Sequence, residues 1–353
     1  MQITGGARAI CAGRADRGLT CINRRGKIHA RLAPLLGDSY PSDMTVPWRK
    51  IWLELLVYPT YTLPIALAPV LVGVGLAVRD HVFRPVPALL GFAASWLLHV
   101  GGVMLDNYEL LVRHPDNREH PELVEALQNG TLSLSALRGA IAFCFVVPVL
   151  SGPYFLHLAG TLVVVFGILG VVSSWGFAGP PLAYARHGIA DPIFLAMFGV
   201  VAVAGTYYVQ AAPLYLSPSN PFPLQALPVD AFVLGLPVGT LATIMMLVDD
   251  LRDRESDRAK GWRTGAVRFG PDWSRFEIVA LATLAYLAPF WFWQELGFGP
   301  AILLPLLTLP QAVAMMRIIC SERRVPELFP LAPRIAALSL IYGALSGIGI
   351  ALG

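Results

Sequence analysis

Charged residues are scarce in this chain. Asp, Glu, Lys and Arg together make up 14% of the 353 residues, whereas apolar residues make up 56%. A soluble domain usually carries about a quarter charged residues, because polar groups must cover its surface. The composition therefore excludes an ordinary water-soluble enzyme of this size and favours a protein that exposes much of its surface to lipid.

Cysteine is also rare, and its positions follow no functional pattern. None of Cys11, Cys21, Cys144 and Cys320 stands at the spacing of metal ligands. Neither a zinc site nor a disulfide framework is therefore predicted.

The formal net charge is only +3, and no nucleic acid partner is expected.

Long apolar runs are what the sequence has in abundance. A helix needs about 20 apolar residues to cross the hydrocarbon core of a membrane. Backbone groups in lipid must be hydrogen-bonded within their own segment, so such runs are helices. The sequence predicts an all-α integral membrane protein with nine transmembrane helices. The predicted spans are 51–78, 88–112, 134–151, 154–175, 190–212, 229–250, 276–294, 299–317 and 331–352.

Basic residues are distributed unevenly around these spans. Nine helices place the N-terminal segment and the loops after the second, fourth, sixth and eighth helices on one side. Of the 26 Lys and Arg residues, only Arg79 and Arg84 fall on the other side. The positive-inside rule then predicts that the N-terminus and the even-numbered exits lie in the cytoplasm. The expected location is the inner cell membrane, which the chain crosses several times.

The chain divides into two unequal parts. Residues 1–47 are rich in Arg and lack the apolar core that a secretory signal needs. They are predicted to form a disordered basic tail, with binding to anionic lipid as the alternative. Residues 48–353 form the predicted nine-helix domain.

Acidic residues cluster at the cytoplasmic ends of the second and sixth predicted spans. Because these spans are four helices apart, an even number, both clusters face the same side. The first cluster is Asp106-Asn107-Tyr108-Glu109 followed by Asp116, and the second is Asp249, Asp250, Asp253 and Asp257.

The second cluster has the spacing of one helix face. Asp249, Asp253 and Asp257 are each four residues apart, and side chains at that spacing lie on the same side of a helix. Stacked carboxylates repel each other unless a cation lies between them, and Mg²⁺ prefers such oxygen ligands. Nearby basic residues, Arg252, Lys260 and Arg263 among them, can hold phosphate oxygens.

This pattern predicts a site for a diphosphate and Mg²⁺, with an apolar bundle behind it for an isoprenoid chain. The simpler alternative is that the acidic residues are interfacial, solvated and paired with nearby Arg. Their position at the end of an apolar span, close to the bundle interior, favours the functional interpretation.

The second cluster and the residues after it resemble the UbiA superfamily of membrane prenyltransferases. Asp249-Asp250-x-x-Asp253-x-x-x-Asp257 is similar to the second aspartate-rich motif of that family, and the similarity continues from Arg258 to Gly270. Within the superfamily, further stretches are most similar to the menaquinone branch, the 1,4-dihydroxy-2-naphthoate polyprenyltransferases. These stretches are Pro59–Pro64, Gly179–Gln210 and Leu304–Pro310, and the resemblance covers roughly 48–353.

The resemblance implies a nine-helix bundle around a central cavity. It implies an enzyme that transfers a polyprenyl chain from its diphosphate to an aromatic acceptor such as 1,4-dihydroxy-2-naphthoate, with Mg²⁺ as cofactor. The implied catalytic residues are Asp106, Asp250, Asp253 and Asp257. The implied Mg²⁺ ligands are Asp106, Asp116, Asp249, Asp250, Asp253 and Asp257. The implied substrate-binding residues are Asn107, Tyr108, Glu109, Tyr207, Tyr208, Gln210, Arg252, Lys260 and Arg263.

The first cluster departs from the family pattern. Asp106-Asn107 stands in the reverse order of the family's Asn-Asp, and Leu110 occupies the position of the next aspartate. Glu109 lies one place early, which is about 100° away around a helix. Replacement of the missing acid by Glu109 is therefore not assumed.

This departure keeps alternatives open. The chain could be a related enzyme with another acceptor, or a membrane terpene cyclase that needs no acceptor. A non-catalytic prenyl-lipid-binding or transport protein is the alternative from a different class. The acidic residues lie at helix ends and not near the membrane midplane, which argues against transport.

Overall fold

The computed structural model describes residues 62–114, 121–321 and 328–353. Within these ranges the regular structure is helical, and no strand occurs. The main helices are α1 (Thr62–Arg79), α2 (Pro85–Arg113), α3 (Pro121–Gln128), α4 (Leu134–Ala159), α5 (Leu162–Ala178), α6 (Ala190–Leu214), α7 (Leu236–Lys260), α8 (Gly265–Phe269), α9 (Pro271–Glu295), α10 (Pro300–Ser321) and α11 (Leu331–Leu352). A short helix, Val229–Val233, leads directly into α7.

The predicted all-α membrane architecture is confirmed. In the described part of the chain, seven helices are long and apolar enough to cross a membrane. Two shorter apolar helices, Leu63–Arg79 and Leu162–Ala178, occupy the positions of the first and fourth predicted spans. The exact number of nine crossings stays a prediction. The predicted tail and residues 51–61 lie outside the described residues.

The boundary between the third and fourth predicted spans is wrong. The sequence predicts a break at 152–153, but α4 continues through Pro153 to Ala159. Membrane helices tolerate proline because neighbouring groups can satisfy the freed backbone carbonyl. The chain turns instead at Gly160, which has a φ of 75°. A side chain there would also meet the carbonyl oxygen of Pro221 at 2.5 Å.

Helix α7 lies at the centre of the bundle. It packs against α1, α6, α9 and α11, and the side chains from Pro237 to Val248 are buried. A helix that is apolar all round suits a position surrounded by other helices. This packing fixes the polar C-terminal part of α7, from Asp249 to Lys260, at one end of the bundle.

Helices α2 and α6 form the walls that face this polar end. Helix α2 packs against α4 and α5. Helix α6 contains a wider π-helical turn from Leu195 to Val201, which packs against α7. Such turns are frequent at functional sites, and here Met197 and Phe198 of the turn line the cavity between the helices.

Candidate active site

A cavity of about 270 Å³ lies between the C-terminal parts of α2 and α7. The fold therefore brings the ends of the second and sixth predicted spans together. The polar lining comes from both acidic clusters: Asp106, Asn107, Asp249, Asp250, Asp253 and Asp257. The apolar lining includes Phe177, Phe194, Met197, Phe198 and Met245.

The acidic residues of α7 have the predicted helical register. The helix continues to Lys260 and ends before Gly261, which has a φ of 78°. Asp249, Asp253 and Asp257 therefore lie on one side of a single helix. All three line the cavity.

Arg252 lies between two of these carboxylates. Its Nη1 is 2.5 Å from Oδ1 of Asp249. Its Nε and Nη2 contact the two oxygens of Asp253 at 2.8 Å and 2.5 Å. The guanidinium also lies 5.0 Å from the ring centroid of Phe329. Arg252 thus neutralises the repulsion between neighbouring carboxylates and brings a cation to the cavity.

Two further cations each pair with an acidic residue that lines the cavity. Nζ of Lys260 is 3.3 Å from Oδ1 of Asp257, and both side chains are buried. Nη2 of Arg186 is 3.5 Å from Oδ1 of Asp106. An acidic and a basic side chain therefore lie together on the α2 side of the cavity and again on the α7 side.

Two loops border this end of the cavity. The loop before α6 and the loop after α7 are joined by a hydrogen bond from the backbone N–H of Arg263 to the carbonyl of Arg186, at 2.8 Å. Nη1 of Arg268 donates to the carbonyl of His187 at 3.1 Å. Tyr184, in the first loop, lines the cavity and bonds to Ser173. Burial raises the pKa of the Tyr184 hydroxyl above its usual range, so the phenol stays neutral.

The donor set fits a hard divalent cation by its chemistry. Carboxylate oxygens from two helices line one cavity, and such oxygens are the ligands that Mg²⁺ takes in phosphate sites. As placed, no three His, Cys, Asp or Glu side chains of the described residues are close enough to hold a metal ion. Part of the reason is visible, because Arg252 separates Asp249 from Asp253.

An apolar groove of about 650 Å³ adjoins the polar cavity. The groove lies between α2, α4, α5 and α6, and its lining is almost entirely apolar. Cavity and groove share part of their walls, namely Ser95, Leu98, Gly170, Met197 and Ala202. An acidic cavity and an apolar groove therefore lie side by side.

Residues 66–331 match the sequence profile of the UbiA prenyltransferase family, which covers most of the chain. The chain belongs to this family. The UbiA assignment makes it a prenyltransferase and confirms the resemblance seen in the second acidic cluster. The chain is 27% identical over 327 residues to the 1,4-dihydroxy-2-naphthoate octaprenyltransferase of Escherichia coli K12, and the match covers 88% of this chain and 98% of that protein.

Solved structures agree with the UbiA fold. The chain is similar to the apo structure of a UbiA homolog from Aeropyrum pernix K1, with a TM-score of 0.60 and 17% identity over 84% of this chain and 98% of that one. It is also similar to a UbiA homolog from Archaeoglobus fulgidus bound to DMAPP and Mg²⁺, with a TM-score of 0.52 and 15% identity over 84% and 99% of the two chains. At these identities the likeness establishes the fold.

The first UbiA motif is only partly directed at the cavity. Asp106 and Asn107 line it, but Tyr108 and Glu109, predicted to bind substrate, do not. Oη of Tyr108 accepts a hydrogen bond from Arg138 at 2.6 Å, and Glu109 pairs with Arg113 at 2.5 Å. Asp116 lies outside the described residues.

Only some of the basic residues predicted to bind substrate lie at the cavity. Arg252 lines the cavity, and Lys260 lies beside it through its pair with Asp257. Arg263 has an exposed side chain and contributes its backbone to the contact between the loops. Its predicted contact with substrate is therefore not supported by its position.

Three residues predicted to bind substrate lie elsewhere: Tyr207, Tyr208 and Gln210 do not line the acidic cavity. Tyr207 donates a hydrogen bond to Asp80 at 2.7 Å, in the turn that follows α1. Tyr208 donates to the carbonyl of Ala159 at 2.6 Å, at the end of α4. Gln210 is buried. Its side-chain oxygen accepts a hydrogen bond from a backbone N–H, and its side-chain nitrogen donates one to a backbone carbonyl. These side chains hold helix ends together at the opposite end of the bundle.

Tyr207→Phe is expected to reduce the free energy of unfolding by about 1 kcal/mol, because Asp80 loses a hydrogen-bond donor. The rate of prenyl transfer should not change, since Tyr207 is remote from the acidic cavity. Thermal unfolding of the purified protein and initial rates would test both. Tyr154→Phe is the matched control, because it removes the same hydroxyl group from a half-exposed ring on α4. A lost rate with unchanged stability would restore the substrate-binding role.

Sequence reasoning missed three residues of the UbiA cavity region: Arg186, Asp191 and Trp262. Oδ1 of Asp191 is buried and has no hydrogen-bond partner among the described residues. Trp262 lines the cavity. Arg186 had a detectable signal, because it is the only Lys or Arg between Arg138 and Arg252. Sequence alone did not reveal its contact with Asp106, which depends on the fold.

Proposed function

We propose that this protein transfers a polyprenyl chain from a prenyl diphosphate to an aromatic quinone precursor such as 1,4-dihydroxy-2-naphthoate, in a reaction that requires Mg²⁺. The observation that carries the proposal is the acidic cavity with an apolar groove directly beside it. The cavity suits a diphosphate, and the groove suits an isoprenoid chain. The name of the similar Escherichia coli protein supports this choice of acceptor.

Arg252, Arg186 and Lys260 are proposed to bind the diphosphate. A diphosphate oxygen that pairs with the Arg252 guanidinium would draw it away from Asp249 and Asp253. Both carboxylates would then become available as ligands. When bound, Mg²⁺ neutralises charge on the leaving diphosphate as a Lewis acid. The carboxylates proposed to hold it are Asp106, Asp249, Asp250, Asp253 and Asp257.

The apolar walls are proposed to protect the reacting carbon. As the C–O bond to the diphosphate breaks, positive charge develops on the allylic carbon. A ring carbon of the acceptor forms the new C–C bond to it, and that ring carbon then loses the group it carried, either a proton or the carboxylate as CO2. Phe177, Phe194 and Phe198 line this part of the cavity. Their rings exclude water and can stabilise a cation through their π-faces.

The topology predicted from the sequence also bears on the location in the cell. The chain is a multi-pass membrane protein, and we propose that it lies in the inner cell membrane with the acidic cavity facing the cytoplasm. The positive-inside rule supports this orientation. The groove between α2, α4, α5 and α6 would then receive the prenyl chain at the depth of the lipid tails.

The test uses membranes that contain the protein, a labelled long-chain prenyl diphosphate and 1,4-dihydroxy-2-naphthoate. A prenylated naphthoquinone precursor is expected only when both substrates and Mg²⁺ are present, and EDTA should abolish it. A cyclic hydrocarbon formed without acceptor would establish a terpene cyclase instead. Bound prenyl diphosphate without turnover under all conditions would establish a non-catalytic binding protein.

The reversed order of Asp106 and Asn107 favours a second candidate, a related prenyltransferase with another aromatic acceptor. Both side chains line the cavity, so the reversal changes which of them is anionic at each position. Prenylation of a different hydroxylated ring, with no product from 1,4-dihydroxy-2-naphthoate, would favour this candidate.

A further inference from the structure

The indole ring of Trp262 lies against two cations. Nζ of Lys260 is 4.1 Å from the ring centroid, and the guanidinium carbon of Arg186 is 4.8 Å from it. Both distances are within the range of a cation–π interaction, which is strongest for Trp and grows when the cation is desolvated. The exposed fractions are 7% for the Lys260 side chain and 10% for that of Arg186.

The backbone fixes the position of this ring. Gly261 ends α7 with a φ of 78°, and the N–H of Trp262 donates to the carbonyl of Asp257 at 2.9 Å. The chain therefore folds back, and the indole lines the cavity. His114, at the end of α2, packs its ring edge-on against the indole at 6.1 Å.

The two cations connect Trp262 to both acidic clusters. Arg186 pairs with Asp106 on α2, and Lys260 pairs with Asp257 on α7. Both acidic partners line the cavity. A single aromatic ring therefore contacts both of the cations that pair with the two acidic clusters.

The guanidinium of Arg186 has an N–H group that can still bind an anion. Its contact with Asp106 is long, at 3.5 Å, and its buried Nε has no hydrogen-bond partner among the described residues. A buried, unpaired guanidinium N–H is costly unless a ligand or water completes it. The missing partner must be an acceptor, and a diphosphate oxygen has that chemistry.

We propose that Trp262 is a positioning residue that holds Arg186 and Lys260 in place to bind the diphosphate of the donor. The proposal rests on the proposed function, because it assumes a prenyl diphosphate in this cavity. Trp262 acts on the donor and not on the aromatic acceptor. Its substitution therefore changes donor affinity selectively.

The test compares Trp262→Leu, which removes the π-face, with Trp262→Phe, which retains one. Binding of labelled geranyl diphosphate to the purified protein is measured at fixed Mg²⁺ without acceptor. Loss of the ring is expected to raise the Kd of geranyl diphosphate by roughly tenfold. The KM of the donor should rise in parallel, whereas the KM of the acceptor and kcat at saturating donor should stay near wild type. Trp262→Phe should recover most of the affinity.

Trp293→Leu is the matched control, because Trp293 is a half-exposed ring on α9 outside the cavity. It should leave the Kd of geranyl diphosphate unchanged. A double-mutant cycle with Arg186→Gln adds a second readout. If Trp262 acts through Arg186, the two effects on Kd should be less than additive.

Three outcomes would overturn the proposal. One is an unchanged Kd in Trp262→Leu, and another is fully additive effects of the two substitutions. The third is an equal loss of kcat and of affinity for both substrates that Phe does not rescue, which would mark Trp262 as structural. Failure of the wild-type protein to bind geranyl diphosphate would instead contradict the proposed function.

Discussion

Asp253→Asn is expected to lower the rate of prenyl transfer by about 100-fold or more. Asp253 lines the cavity and is one of the four carboxylates of α7 that we propose as ligands. Asn keeps the shape of the side chain but loses its charge, so a hard cation loses an anionic oxygen. Removing one group that stabilises charge in an active site typically costs on the order of 100- to 1000-fold in rate.

Folding should change little in this variant. The Asp253 side chain is 27% exposed, and Arg252 keeps its contact with Asp249 at 2.5 Å. A partly exposed ion pair contributes at most about 1 kcal/mol. The measurements are the thermal unfolding midpoint and initial rates across a Mg²⁺ titration. The Mg²⁺ concentration for half-maximal rate should rise.

Glu255→Gln is the matched control on the same helix. Glu255 lies two residues further along, its side chain is 67% exposed, and it pairs with Arg254 and Arg258. Its substitution removes the same charge outside the cavity and should leave the rate unchanged. Equal losses in both variants would indicate a general effect of charge. A wild-type rate and Mg²⁺ dependence in Asp253→Asn would contradict the site on α7.

Helix α7 was the most predictable part of the molecule. A membrane helix must satisfy its own backbone, so the apolar run from Pro237 to Val248 had one possible structure. The helical spacing of Asp249, Asp253 and Asp257 then followed without tertiary information. The C-terminal ends of α2 and α7 could also be expected on one side of the membrane, because an even number of crossings separates them.

The side chains that surround the acidic residues were not predictable in the same way. Arg186 and Trp262 come from different loops, and their contact depends on how those loops fold against each other. Tyr207 shows that the position of a residue along the bundle axis is also hard to predict. A helical pattern indicates which residues share a face, but not which end of the bundle they reach.

The altered first motif illustrates what a one-residue shift does. Leu110 lines the cavity at the position where the family has an aspartate, whereas Glu109 turns away to Arg113. Because adjacent residues are about 100° apart on a helix, the displaced acid does not reach the cavity. Helix α2 therefore offers Asp106 as its one carboxylate there among the described residues, and α7 supplies the others.

Gly152→Leu is expected to shorten the prenyl chain that the enzyme accepts. Gly152 lines the apolar groove on α4, and a Cβ added there meets no atom within 4 Å. We therefore expect a Leu side chain to occupy part of the groove. Each methylene that loses burial costs about 0.8 kcal/mol, so excluding two of them lowers affinity somewhat more than about tenfold.

The effect should depend on the length of the donor, because Gly152 is on a part of α4 that does not line the acidic cavity. For a long-chain prenyl diphosphate, kcat/KM should fall by about tenfold or more. For geranyl diphosphate, whose short chain stays near the acidic cavity, kcat/KM should stay near wild type. Gly139→Leu, on the same helix and equally free of neighbours but outside the groove, controls for the effect of Leu on α4. Equal losses for both donors would mean that the chain does not follow this groove.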